Sequence, residues 1–223
     1  MLNRNDNDFL LTLRERLYAA VLSDVLDELG LRNQAMKPHI RPLDDGLVMA
    51  GFARTGLFHE VDGVLPGENP YELEMRVLDD LAPGEIVAFA CGGSTRIAPW
   101  GELLTTAARA RGGVGAVTDG FVRDVRAIRG AAFPVFHGGI APLDSKGRGK
   151  VVDIDIPVEC AGVAVASGDL IFGDVDGVVV VPRNVEEEVL ARAFDKVARE
   201  NITRDELTTC ARLPAVYARY GVL

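Results

Sequence analysis

Residues 98–125, APWGELLTTAARARGGVGAVTDGFVRDV, restrict the fold more than any other part of this chain. Pro99, Trp100 and Gly101 lead into a helix with Glu102 in its first turn. Leu103, Leu104, Ala107, Ala108 and Ala110 give it a small apolar face. Gly112 and Gly113 stop it, because glycine takes the left-handed position after a helix at no steric cost. Residues 114–118 then read as a short buried strand, and Asp119-Gly120 as a turn. Arg123 and Asp124 follow at once.

A helix followed by a buried strand belongs to an α/β sheet, and the return strand brings the chain back to the edge where ligands of such sheets gather. The first amides of a helix lack internal partners and carry partial positive charge. The amides of Gly101, Glu102, Leu103 and Leu104 therefore suit a carboxylate or phosphate. Arg123 is a bidentate carboxylate partner placed near that helix start. Glu102 and Asp124 offer hard oxygen ligands of the kind that hold Mg²⁺ or Mn²⁺.

The totals fit this reading. The chain has 223 residues, 48% of them hydrophobic, which suits one domain over 1–223 burying roughly 70% of its unfolded surface. The formal net charge is -9, so a nucleic-acid surface, which needs a basic stripe, is not expected. Cys91, Cys160 and Cys210 are scattered and odd in number, without a CxxC. They read as reduced thiols in a cytoplasmic protein. The first ten residues are polar and do not resemble a signal peptide, and no apolar run approaches the ~18 residues of a membrane span.

Elsewhere the pattern predicts a helix over 8–22, and a second over 24–29 capped by Ser23, with Asp24 and Asp27 in its first turn. A strand runs from Leu47 through 51–56, where Arg54 is a candidate second anion contact. A helix over 70–80, a strand over 85–90 and a flexible turn at Gly92-Gly93 precede the central stretch. After it come a short helix over 125–129 and a strand over 133–137, at whose end His137 is a candidate acid or base. Strands are expected over 151–156, 158–165, 170–172 and 178–181. Gly173-Asp174-Val175-Asp176-Gly177 is a turn between two of them, not a calcium loop, for it lacks the twelve-residue spacing. Asn184 with Glu187 forms a capping box opening a helix over 184–207. Dinucleotide, Walker A, GxSxG, SxxK and HExxH signatures are absent.

The central stretch resembles the core motif of the RraA-like family, which includes the 4-hydroxy-4-methyl-2-oxoglutarate and 4-carboxy-4-hydroxy-2-oxoadipate aldolases. SDVLDELG at 23–30, GFART at 51–55 and SGDLIFGDVDGVVVVP at 167–182 lie in the family's order. The resemblance implies a swivelling β/β/α fold, a sheet sandwich with flanking helices, assembled as a homotrimer or homohexamer. It also implies a divalent-metal-dependent pyruvate aldolase with oxaloacetate decarboxylase activity, holding Mg²⁺ or Mn²⁺ and a 2-oxo acid at a subunit interface. By position, the amides of residues 101–104 would bind the pyruvyl carboxylate and Arg123 the keto oxygen. Asp124 would hold the metal with Glu102 in its shell. Glu200 resembles the glutamate that a neighbouring subunit supplies, from a helix packed on that neighbour. The family's aldolase pattern has Asp where this chain has Glu102.

Plainer roles stand beside these. Glu102 can serve only the helix dipole, a contribution of about 0.3–1 kcal/mol. Arg123 and Asp124 can form an ordinary surface pair, and Glu200 can pair with Arg204 one helical turn on. The family also implies a second kind of protein, a regulator that binds and inhibits an endoribonuclease, and a related lyase on another oxo or sugar acid is compatible with the same residues. A methyltransferase label used for some members is not supported, because no glycine-rich strand-to-helix loop is present.

Overall fold

The computed structural model describes Arg4 and residues 8–222. In chain order the elements are α1 (Phe9–Arg16), α2 (Ala19–Glu28), β1 (Arg41–Pro42), β2 (Met49–Glu60), α3 (Glu72–Asp79) and β3 (Glu85–Ala90). Then follow α4 (Glu102–Ala110), β4 (Gly115–Val122), α5 (Val125–Gly130), β5 (Val135–Ile140), β6 (Gly149–Ile154), β7 (Val158–Cys160) and β8 (Val163–Val165). The chain closes with β9 (Leu170–Asp174), β10 (Gly177–Val181), α6 (Glu186–Thr208) and α7 (Leu213–Tyr220).

Eight strands form one mixed sheet in the order β1-β5-β4-β3-β2-β9-β10, with β6 also on β2. Strand β2 is long enough to serve three neighbours. One edge takes β3 in parallel; the other is divided between β9 at residues 49–52 and β6 at residues 56–60. The sheet curls until its ends nearly meet, because Ala35 bridges to Val179 of β10 while β1 pairs with β5. Across the interior, Phe136 of β5 reaches Gly173 of β9, where any Cβ would lie 2.7 Å from its ring.

Period-two alternation sorts the side chains into layers. Ile86, Ala88 and Ala90 face the interior with Val117, Phe136, Ile171, Val178 and Val180, and the β7–β8 hairpin plugs it with Val158, Cys160, Val163 and Val165. Val87 and Phe89 point outward under α3, α4 and α5. Leu170, Phe172, Val179 and Val181 point outward under α1, α2 and α6. The result is the α/β layering with flanking helices that the resemblance implies.

Helices α3, α4 and α5 connect the consecutive parallel strands β2, β3, β4 and β5. Every such connection returns the chain to the same end of the sheet. The C-terminal ends of β3, β4 and β5 therefore share one rim, and the residues argued below sit there.

Several local expectations are corrected. The first two helices break at Leu17–Tyr18, and Ser23 lies inside α2. The cap comes from far away: the Ala19 amide donates to Asp174 Oδ2 at 2.8 Å. Asp24 and Asp27 thus lie beyond the first turn of α2, and Asp24 pairs with Lys196 of α6 at 2.9 Å. Asp119-Gly120 is not a turn; β4 runs through it with a register shift against β5. Residues 158–165 are two short strands turning at Ala161-Gly162, not one. The Asn184–Glu187 box does not form, since α6 starts after Val185 without a side-chain cap.

Candidate active site

The start of α4 is pinned from beneath. Trp100 is buried, stacks on Phe133 at 6.3 Å, and donates its indole N–H to Thr105 Oγ1 at 2.9 Å. Trp100 also bridges to Val122, and the Arg123 amide donates to its carbonyl at 3.0 Å. This pairing draws the end of β4 against the first turn of α4. Gly101 is the contact point: a Cβ there would lie 2.7 Å from Asp124 Oδ2 and 3.3 Å from Arg123 Nε. Only glycine lets the two segments close to this distance.

Asp124 adopts a left-handed backbone, φ 58 and ψ 29, uncommon outside glycine. It occupies the N-cap position of α5, yet its carboxylate makes no cap there. It turns instead to α4 and accepts from the Glu102 amide at 3.2 Å. The amides of Leu103 and Leu104 have no protein acceptor among the described residues. Arg123 lies alongside, with Nε 3.7 Å from Asp124 Oδ2 and Nη1 donating to the Leu143 carbonyl at 3.3 Å. An open hollow of about 570 Å³ runs along Asp124, Val125, Arg126 and Ala127.

The donor chemistry suits a hard divalent cation. Asp124 and Glu102 are carboxylates on adjoining segments, and Asp124 Oδ1 has no protein partner among the described residues. Glu102 accepts from Thr106 Oγ1 at 2.9 Å with one oxygen, which leaves the other. The described residues contain no group of three or more His, Cys, Asp or Glu arranged for a metal. Two carboxylates with water completing the shell is a common Mg²⁺ arrangement.

A family model described as "RraA-like: Aldolase/RraA" matches residues 19–180. The chain belongs to the RraA-like family. A Halalkalibacterium halodurans protein, provisionally named a 4-hydroxy-4-methyl-2-oxoglutarate aldolase, is 34% identical over 204 residues, covering 90% of each chain. A Thermus thermophilus protein named 4-hydroxy-4-methyl-2-oxoglutarate aldolase is 31% identical over 110 residues, 49% of this chain and 66% of that one. Among solved structures, Streptomyces coelicolor RraAS2, described as an unusual member of the RNase ES inhibitor RraA family, superposes with a TM-score of 0.79. It is 30% identical and covers 91% of this chain and 98% of its own.

Within this RraA-like fold, the backbone joins Gly101, Glu102, Leu103, Leu104, Arg123 and Asp124 at one rim, as the sequence predicts. Glu200 is not among them. It lies on α6, which packs on α2 and α7, and burial raises its carboxyl while the Arg204 charge opposes the shift. The Glu200–Arg204 pair of the plainer reading is not made; Arg204 donates to Asn201 Oδ1 instead.

His137 lies within β5 rather than at its end, buried, with Nδ1 lacking a protein partner. Burial and the Arg129 charge lower its pKa, and among the described residues it makes no hydrogen bond or ion pair with Arg123 or Asp124. Arg54 is likewise no free anion contact: it pairs with Asp155 at 2.9 Å and lies near Asp80 and Glu85.

The structure adds four residues that sequence reasoning missed. Asp144 faces Arg123, with Oδ1 3.6 Å from Nη1, and accepts from the Tyr71 hydroxyl at 2.9 Å. Next to it Ser145 donates to the buried Glu74 at 3.4 Å. Burial pushes Asp144 up, but the bonds from Tyr71 and the backbone and the Arg123 charge outweigh this, so its carboxyl ends below the ordinary range. Burial and the bond to Asp144 hold the Tyr71 hydroxyl at about 12, and burial raises Glu74 to about 7. One signal was available for Glu74: it shares the helical face of Val77 and Leu78, where an acid is out of place.

Proposed function

We propose that this protein is a divalent-metal-dependent aldolase. It releases pyruvate from a 4-hydroxy-2-oxo acid such as 4-hydroxy-4-methyl-2-oxoglutarate, and decarboxylates oxaloacetate as a second activity. The observation that carries the reading is the left-handed Asp124, whose carboxylate is turned from its own helix to the α4 N-terminus beside Arg123. Aspartate is among the few non-glycine residues that adopt this region readily, so the weight of the reading lies in where the carboxylate is aimed. The aldolase names of the relatives give the substrate class.

The residues divide the work as follows. The free Leu103 and Leu104 amides receive the carboxylate of the pyruvyl half. Arg123 places a fixed positive charge at the keto oxygen, where negative charge grows as the C3–C4 bond breaks and its electron pair stays on the pyruvyl half. Asp124 and Glu102 would hold the Mg²⁺ or Mn²⁺, which would supply Lewis-acid stabilisation of that same charge. The 4-hydroxyl proton must leave as the bond breaks. Glu200 of a neighbouring copy is the acceptor in this reading, and a carboxyl raised by burial is the better base near neutrality. Exposed Ile202, Leu213 and Tyr217 on α6 and α7 suit packing between copies in a trimer or hexamer.

The test is pyruvate release from oxaloacetate and from 4-hydroxy-4-methyl-2-oxoglutarate, with Mg²⁺ and with EDTA. Turnover should require the metal for both. Arg123→Ala should lose it by at least about 10³-fold with an unchanged unfolding midpoint. Unchanged turnover in that variant refutes the assignment. The likeness to RraAS2 favours a second reading, a protein regulator of an endoribonuclease. Retention of a ribonuclease by the pure protein, with no metal-dependent turnover of either 2-oxo acid, would establish that reading instead.

A further inference from the structure

An arginine side chain has many rotamers, so one that must meet a developing charge needs something to hold it. Asp124 supports only the Nε end of Arg123, at 3.7 Å. The Nη1 end meets the loop between β5 and β6, at the Leu143 carbonyl and Asp144 Oδ1. That loop carboxylate is itself set by groups other than the arginine. Tyr71, the residue before α3, donates to Oδ2 at 2.9 Å, and the Lys146 amide donates to Oδ1 at 3.3 Å. Ser145 ties the same loop to Glu74 in α3. The carboxylate is therefore oriented in advance, and the arginine conforms to it. Arg123 Nη2 has no protein hydrogen bond among the described residues, so the clamp leaves one donor edge for a ligand.

We infer that Asp144, anchored by Tyr71, is a positioning residue for Arg123: it fixes the guanidinium at the rim so that its remaining donors face the substrate. The inference rests on the aldolase reading for its kinetic consequence, but not for the clamp itself.

The kinetic test compares oxaloacetate decarboxylation by the wild type, Asp144→Asn, Tyr71→Phe, Arg123→Lys and the Arg123→Lys/Asp144→Asn double variant. A misplaced catalytic group costs rate, so Asp144→Asn should lower kcat by about 10–100-fold, with KM changed by no more than about threefold. Tyr71→Phe should show the same pattern to a smaller degree. In the Arg123→Lys background, Asp144→Asn should add little, because the two changes remove one arrangement. Equal losses in both backgrounds, or a change in KM alone, overturn the inference. A second measurement needs no activity: the Nε–Hε resonance of Arg123, assigned by its loss in Arg123→Lys. Its ¹⁵N relaxation should show a restrained side chain in the wild type and a mobile one in Asp144→Asn. Equal mobility in the two proteins overturns the clamp. An inactive wild type with a clamped Arg123 would sink the aldolase reading and leave the clamp standing.

Discussion

Two aspartates five residues apart, Asp119 and Asp124, have the same side chain and opposite circumstances. Asp119 is buried within β4, and its carboxylate accepts three amides: Cys91 at 2.5 Å, Gly93 at 3.0 Å and Ala161 at 3.3 Å. It ties the end of β3 to the hairpin turn, and its oxygens are committed. Asp124, at the rim, accepts one amide, adopts a left-handed backbone that turns its carboxylate toward α4, and keeps an oxygen for a ligand. A saturated buried carboxylate is a structural part; an under-used one aimed at a helix start beside an arginine is the kind of group that does chemistry.

The same substitution should therefore break the two sites differently. Asp119→Asn turns an N–H₂ group toward amide donors and leaves at least one of them unpaired in the interior. It should cost roughly 2–4 kcal/mol in urea unfolding. Asp124→Asn keeps a residue that tolerates the left-handed region, so stability should hold within about 1 kcal/mol while metal-dependent pyruvate release falls by about 10²-fold or more. If both variants lost stability and neither lost specific activity once folded, the contrast would be wrong.

Glu74 lies between these cases, buried like Asp119 but poorly satisfied. Its carboxyl is raised to about 7 from an ordinary 4.5, first by burial. The folded state thus prefers the protonated form. Its contribution is fully present below pH 4.5 and is lost as pH rises through 7. Glu74→Gln keeps the uncharged shape at every pH. Relative to the variant, the wild type should lose up to roughly 3 kcal/mol between pH 4.5 and 7.5. Parallel stability curves across that window would show that Glu74 is better solvated than its burial implies.

The features legible in the sequence were those written in local code. The α4 amphipathic run, the Gly112-Gly113 stop and the β4 return follow one another within thirty residues, and together they bring Gly101, Arg123 and Asp124 to one rim. What was missed is non-local. The cap of α2 comes from Asp174, 155 residues on, and a local reading of the sequence offers only Ser23 for the role. Asp119-Gly120 reads as a turn by composition, but Gly120 is there for space: a Cβ would meet Cys91 Sγ at 3.0 Å and the Ile97 carbonyl at 3.1 Å. The Tyr71–Asp144 bond spans 73 residues, and no window of sequence contains both ends.

Glu102 gives the smallest expected effect and the sharpest reading of the rim. The aldolase pattern that the central stretch resembles would place an aspartate here. The added methylene lets Glu102 reach one turn on along α4, to accept from Thr106 Oγ1 at 2.9 Å, which occupies one of its oxygens. That bond competes with any cation for the carboxylate. Removing it from either end should therefore act in the same direction. Glu102→Asp shortens the side chain beyond the reach of Thr106, and Thr106→Val deletes the donor and leaves the glutamate. Both should lower the Mg²⁺ concentration for half-maximal pyruvate release by about two- to fivefold, a modest effect because the bond is exposed to solvent. If Glu102 serves only the α4 dipole, either acid does so equally, and the metal requirement will not move in either variant. A shift in Glu102→Asp alone would assign the effect to side-chain length rather than to release from Thr106.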